Sequence, residues 1–527
     1  MTATTDKRVK ATKTNRGFLF EYPALPSVEL GFCYLVVGCS MIYAWSQVII
    51  ASNKYQFQYW HSIRVDRLPF IGERYMDESN WEWSAWSPVG FMLLPFFAIH
   101  SIIFNVGGHF ISDQILQYIT IIYSVIYSCI LFSKLLVLLS LIQGTVIFFA
   151  AYFYSLFFYY LHQLAVWLSS MPVLYLTLHY TYHLSTNPLL VVIFVCYTLL
   201  SYISYNLEAQ NGATRPEDNT LLKRYIRMLF YAFYPPYMTT LVVIYPEFER
   251  QMSQRRIKTR NWRQVIFFAA RIAFWWFLIY LMLHFMYFEW ILYDTDYAKN
   301  LPKNEFVSLG MALGIFFHLR YVVIFGLPRI FALADNMEPA AGPICINRLT
   351  LYSKAWRYFD RGLYSFFKTY IFIPICMPTF SIQRKIFGVI LSYCFVLLWH
   401  GIHQANIIWI VLNIFGLFME YGCKGLYGIK QVQQWREKHI TDIAFRRIIA
   451  CFHVIPFVLG LYSNLYFLGG FEVGSMFVTR IWCEETLTMR FPAILLITLA
   501  YFYSQVCIEI DRKLSLAAIK NNSKKHC

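Results

Sequence analysis

The chain has 527 residues, 58% of them hydrophobic and 14% charged, with a mean hydropathy of +0.47. Soluble domains carry about 25% charged residues, so a soluble globular fold is excluded and an all-α polytopic membrane protein is expected. The formal charge of +16 sits in short segments between apolar runs, as the positive-inside rule produces, so nucleic acid is not an expected partner.

Residues 1–27 form a basic tail with Lys7, Arg8, Lys10, Lys13 and Arg16. It is expected in the cytosol, where membrane lipids with anionic headgroups could attract it. No cleavable signal peptide is visible. Residues 28–508 read as a single transmembrane domain of about 10–12 helices, and 509–527 as a cytosolic C-terminal tail. The first span is expected at 28–51, followed by a polar loop to Pro88. Near the end of that loop, Trp81, Trp83 and Trp86 suggest an interfacial belt. A second span follows at 89–108, and the apolar stretch from Gln114 to Leu207 divides into four crossings. The segment from Glu208 to Arg227 is a polar loop, and a further hydrophobic segment runs to about 245. The loop Glu249–Arg263, with Arg250, Arg255, Arg256, Lys258, Arg260 and Arg263, is the most basic and should be cytosolic.

Two spans are expected at 264–294 and 305–333. Arg271 lies within apolar sequence, which favours an inward-facing role. The stretch 363–378, interrupted by Pro374 and Pro378, is too short to cross and predicts a re-entrant segment lining a cavity. From Lys385 to Tyr421 the chain is long enough for two crossings, and it contains one polar island, Trp399 to Gln404. With a helix starting at Ile386, His400 would lie roughly 21 Å along it, inside the hydrocarbon core. An ionisable residue there marks a candidate functional site, although a histidine near a helix end can also simply bond to a neighbour. His403 is expected on the same helix face, but no third ligand follows to complete a metal site. Spans at 448–468 and 491–508, with a luminal loop between them, close the chain. An even number of crossings places both ends in the cytosol. The 12 cysteines show no C-x-x-C pair, and Cys129, Cys196 and Cys394 fall in apolar runs, which argues against a disulfide framework.

Several separate blocks share one resemblance. Trp356-Arg357-Tyr358-Phe359-Asp360-Arg361-Gly362-Leu363, Trp399-His400-Gly401, and Tyr462 to Gly474 with its Ser463-Asn464-Leu465 and Phe467-Leu468-Gly469-Gly470 elements occur in order. So do Arg271 with Trp275-Trp276 and His284, and Phe325-Gly326-Leu327-Pro328. Together with Asn80–Trp86 they resemble the membrane-bound O-acyltransferase (MBOAT) superfamily, most closely its hedgehog acyltransferase branch. This resemblance implies the MBOAT fold and an acyltransferase of the endoplasmic reticulum membrane. Palmitoyl-CoA would be the acyl donor, and the acceptor a secreted, hedgehog-like signalling protein with an N-terminal cysteine. It further implies His400 and Asp360 as the catalytic pair, Trp356 and Arg357 in the acyl-CoA site, and Cys345 as the ligand to the iron of haem b. Where the family has an HNGP element, this chain has Met238-Thr239-Thr240-Leu241.

From the residues alone, Asp360 could orient an imidazole or cap a helix, and Cys345 could be an ordinary loop thiol. An acyltransferase for another protein or lipid acceptor, a transporter and a non-catalytic ligand-binding regulator are the competing readings. Transporters usually carry inverted repeats, and no repeat is evident. The chain ends Lys524-Lys525-His526-Cys527, which looks like a dilysine retrieval signal. Lys524→Ala with Lys525→Ala is therefore expected to shift steady-state fluorescence of the tagged protein out of the endoplasmic reticulum.

Overall fold

A computed structural model describes residues 20–55, 64–157, 161–209, 220–345, 351–483 and 487–525. Most of the basic N-terminal tail and the Asn211–Asp218 part of the polar loop lie outside the described residues. Twelve helices are long and apolar enough to cross a membrane. They include Ser27–Lys54, Trp81–Phe110, the four helices between Asp113 and Glu208, Trp262–Phe285, Lys303–Ala334, Ile382–His400 and Gln404–Tyr427. Small polar residues start several of them. Asn80, Ser112, Asn261, Ser381 and Thr441 each accept a hydrogen bond from the backbone N–H three residues on, satisfying one of the donors that a helix N-terminus leaves unpaired.

Pro188–Glu208 and Lys303–Ala334 run through the interior, with more than half of each apolar window buried. Along the second, Phe306, Leu309, Ala312, Leu313 and Phe316 are buried in succession. The helices around them expose Leu, Ile and Phe on their outer faces, which suits hydrocarbon. At one end of the bundle a β-hairpin, Val65–Leu68 paired with Gly72–Tyr75, lies against the end of the Trp262–Phe285 helix. Tyr280 donates to Asp66 at 3.1 Å, and His284 lies 3.2 Å from the same carboxylate. At the other end, Asp335 gathers His100 (3.1 Å), Ser101 (2.7 Å), Asn105 (3.0 Å) and Tyr234 (2.7 Å). Arg260 reaches Asn105 at 2.5 Å and Arg256 reaches the Gly108 carbonyl at 3.1 Å, so the basic loop covers that end.

Four expectations need correction. The second span starts at Trp81 rather than 89, because Asn80 caps it. Trp83 and Trp86 are then core residues, 3% and 1% exposed, stacked on each other at 5.8 Å and joined by Trp276; only Trp81 remains outside. The hydrophobic segment before 245 consists of short pieces, Leu221–Ala232 and Pro235–Met238, parted at Pro235 and Pro236. The expected luminal loop after 468 is mostly helix: the Asp442–Trp482 run bends at Gly470 (φ 79°) and continues to Trp482. His400 and His403 do not share a helix face. His400 is the last residue of one helix, Gly401 turns the chain at φ 89°, and His403 caps the next. Gly401 is required there because positive φ is costly for any residue with a Cβ.

Candidate active site

The segment expected to be re-entrant is the Arg361–Phe367 helix, continued to Cys376. It starts because Asp360 caps it, accepting from the Leu363 N–H at 2.8 Å. Its first turn is pinned against the segment after Met238. A Cβ on Gly362 would lie 2.0 Å from the Val242 carbonyl oxygen, so only glycine permits this approach. Immediately before it, the Tyr352–Tyr358 helix is held by its side chains. Trp356 donates from Nε1 to Asn413 at 3.0 Å and packs on Tyr393 and Trp409. Ser353 is bound by the buried Glu420, which also receives Lys424. Arg357 lies over the Tyr364 ring at 5.8 Å.

Asp360 lines a cavity of about 310 Å³ together with Thr240, Leu241, Arg271, Arg329 and Arg361. Arg329 is five residues from the end of its helix, or about 8 Å, so the cavity lies towards the basic-loop end of the bundle. Arg271 and Arg329 both stack on Phe268, at 5.2 and 5.3 Å, and Arg361 lies within electrostatic reach of Arg329. Among the described residues no carboxylate pairs with any of the three. The Nε groups of Arg329 and Arg361 are buried without a hydrogen-bond partner. Three mutually repelling cations around one space call for an anion. Asp360 is half-buried, and what surface it keeps faces this cavity rather than bulk water. Burial pushes its carboxyl up to about 6, against the pull of the Leu363 and Gly362 backbone N–H groups.

His400 ends its helix 18 residues after Ile382, roughly 27 Å along, towards the hairpin end. Its ring meets Trp409 and Phe467 edge-on at 5.4 and 5.1 Å and keeps exposed surface. Among the described residues neither ring nitrogen has a hydrogen-bond partner, so both are open to a substrate. Asn406 fixes the turn by donating to the carbonyls of His400 and Gly401. His403 folds its ring back over Gly401, away from any shared site. Among the described residues no group of three His, Cys, Asp or Glu side chains could hold a metal ion.

His400 and Asp360 are brought to one region without touching. Phe359, next to Asp360, stacks on Phe317 at 5.1 Å. Phe317 meets Phe467 at 6.0 Å, and Phe467 meets His400. Tyr197, which packs on Trp399 at 5.5 Å, is within electrostatic reach of both Asp360 and Glu82. Glu82 in turn reaches His400. The arrangement sets an imidazole and a carboxylate on two sides of an aromatic wall.

The sequence assigns no role to Glu82, Asn413 or Arg329, and Phe467 and Arg361 enter only as members of the resemblance blocks. Glu82 stands inside the tryptophan stretch, which reads as an interfacial belt. The arginines were unremarkable until the fold gathered them beside Arg271.

The profile of the membrane-bound O-acyltransferase family matches residues 144–463. The chain is 28% identical over 447 residues to the fruit-fly Drosophila melanogaster protein-cysteine N-palmitoyltransferase Rasp, covering 84% of this chain and 86% of that one. It is 27% identical over 318 residues to the mouse protein-cysteine N-palmitoyltransferase HHAT, covering 59% and 63%. It is 23% identical over 504 residues to the mouse HHAT-like protein, covering 94% and 96%.

Because Asn caps a helix as well as Asp does, Asp360→Asn is expected to unfold within a few tenths of a kcal/mol of the parent. Asp360→Ala should lose about 0.5–2 kcal/mol. Thermal unfolding of the purified variants separates the two.

Proposed function

Because the chain belongs to the membrane-bound O-acyltransferase family, and is an acyltransferase, we propose that it moves palmitate from palmitoyl-CoA to the amino-terminal cysteine of a secreted, hedgehog-like signalling protein in the endoplasmic reticulum membrane. The observation that carries the reading is the two-sided site. Trp356, Arg357 and the arginine-lined cavity beside Asp360 lie towards the basic-loop end, which the positive-inside rule assigns to the cytosol, where acyl-CoA is found. His400 opens towards the hairpin end, where a secreted acceptor would arrive. The names of Rasp and HHAT support cysteine N-palmitoylation.

The chemistry follows from the groups present. The acceptor nitrogen must be neutral to attack the thioester carbonyl. As the N–C bond forms, the nitrogen's proton passes to the open imidazole of His400. The C–S bond breaks, and the CoA thiolate leaves and is protonated. Asp360, ionised above about pH 6, positions the donor side of the site, across the aromatic wall from His400.

Haem b is the second ligand implied by the family resemblance, and the residues present fit it. Cys345 is an exposed thiol two residues beyond Pro343, which lines the cavity. Cys345 would ligate the iron, and the group would supply structural support rather than a chemical step. Protein expressed with haem supplied should show a Soret band that Cys345→Ala removes, and no band in the parent protein excludes haem.

The functional test is transfer from a clickable palmitoyl-CoA to a panel of N-terminal cysteine peptides. General-base catalysis contributes about 10²- to 10⁴-fold. His400→Ala should lose that much turnover while still binding acyl-CoA, and His403→Ala should lose far less.

A further inference from the structure

Within electrostatic reach of His400 lies an ion pair that the reaction above does not use. Glu82, in the first turn of the Trp81–Phe110 helix, accepts from the Tyr321 hydroxyl at 2.6 Å and from Arg320 at 2.9 Å. Arg320 is 7% exposed and sits in the middle of the Lys303–Ala334 helix, over the Phe317 ring at 5.1 Å. A buried ion pair is weak evidence for stability, since desolvation offsets much of its attraction. Charges kept at that depth are more often functional.

The pair has bonding capacity left over. A carboxylate offers about four lone-pair sites, and two bonds to Glu82 are shown. The Nε–H of Arg320 is buried and has no hydrogen-bond partner. A second carboxylate nearby does not use it. Glu289 binds Asn80 at 2.6 Å, and burial pushes its carboxyl up to about 8, so it is largely protonated at neutral pH. The 18% of the Glu82 side chain that remains exposed lies in a region that also holds His400, one aromatic layer away through Phe317 and Phe467.

A peptide amino terminus presents the complement of these groups: an ammonium that donates and, three bonds on, a carbonyl that accepts. We propose that Glu82 and Arg320 clamp the amino terminus of the acceptor, the carboxylate taking the ammonium and the Arg320 Nε–H the first peptide carbonyl. The clamp rests on the protein-acylation reading above and explains how the site would select a chain terminus over an internal amine. It also concentrates the acceptor beside His400, which then needs to take only one proton.

The test compares two nucleophiles. An N-terminal cysteine peptide carries both groups; hydroxylamine carries neither a cation at neutral pH nor a carbonyl. With Glu82→Gln, KM for the peptide should rise tenfold or more, while transfer to hydroxylamine falls less than threefold and acyl-CoA binding is retained. Tyr321→Phe, which leaves the carboxylate in place, should change the peptide KM by less than threefold. Equal losses for peptide and hydroxylamine in Glu82→Gln would show a packing role only and overturn the clamp. Transfer to hydroxylamine but to no peptide by the parent protein would overturn the protein-acylation reading instead, and the clamp with it.

Discussion

The stacking of Phe317 on Phe359 at 5.1 Å is the contact on which the site depends. It joins the central Lys303–Ala334 helix to the turn that carries Asp360, and through Phe467 it reaches the ring of His400. Apolar rings are suited to this task in a membrane interior. They hold ionisable groups at fixed spacing without offering competing hydrogen bonds, and aromatic pairs add about 0.5–1.5 kcal/mol beyond the area they bury. The polar groups are then free to meet substrates rather than one another.

Charge is distributed on the same plan. Several charged groups that serve the fold are well satisfied. Examples are the Asp335 cluster and Arg446, which reaches Glu509 at 2.9 Å with both side chains buried. Arg271, Arg329 and Arg361 on one side of the aromatic wall, and His400 with Glu82 and Arg320 near the other, keep bonding capacity to spare. In a low-dielectric interior an unpaired polar group is costly.

Much of this was legible in the sequence. Length and hydropathy defined most of the crossings, because a continuous apolar run of about 20 residues has few alternatives. Asp360, His400 and Trp356 were readable because their blocks resemble a family, not because periodicity pointed to them. The Glu82 ion pair was hidden, since its partners lie more than 230 residues away and tryptophans around it resembled an interfacial belt. The break at Gly401 was readable only as a glycine; its positive φ, and therefore the separation of His400 from His403, came from the fold. The bend at Gly470 was lost for the same reason, because a helix that breaks and resumes leaves no composition change to detect.

The central claim is that donor and acceptor reach one site from opposite faces of the membrane. Reconstitution into sealed, uniformly oriented vesicles tests it directly, with membrane-impermeant palmitoyl-CoA and N-terminal cysteine peptide each confined to one side. Transfer should occur with palmitoyl-CoA on the basic-loop face and peptide on the hairpin face, and fall to background when both are on the same side. Equal transfer with both substrates on one face would contradict the two-sided site.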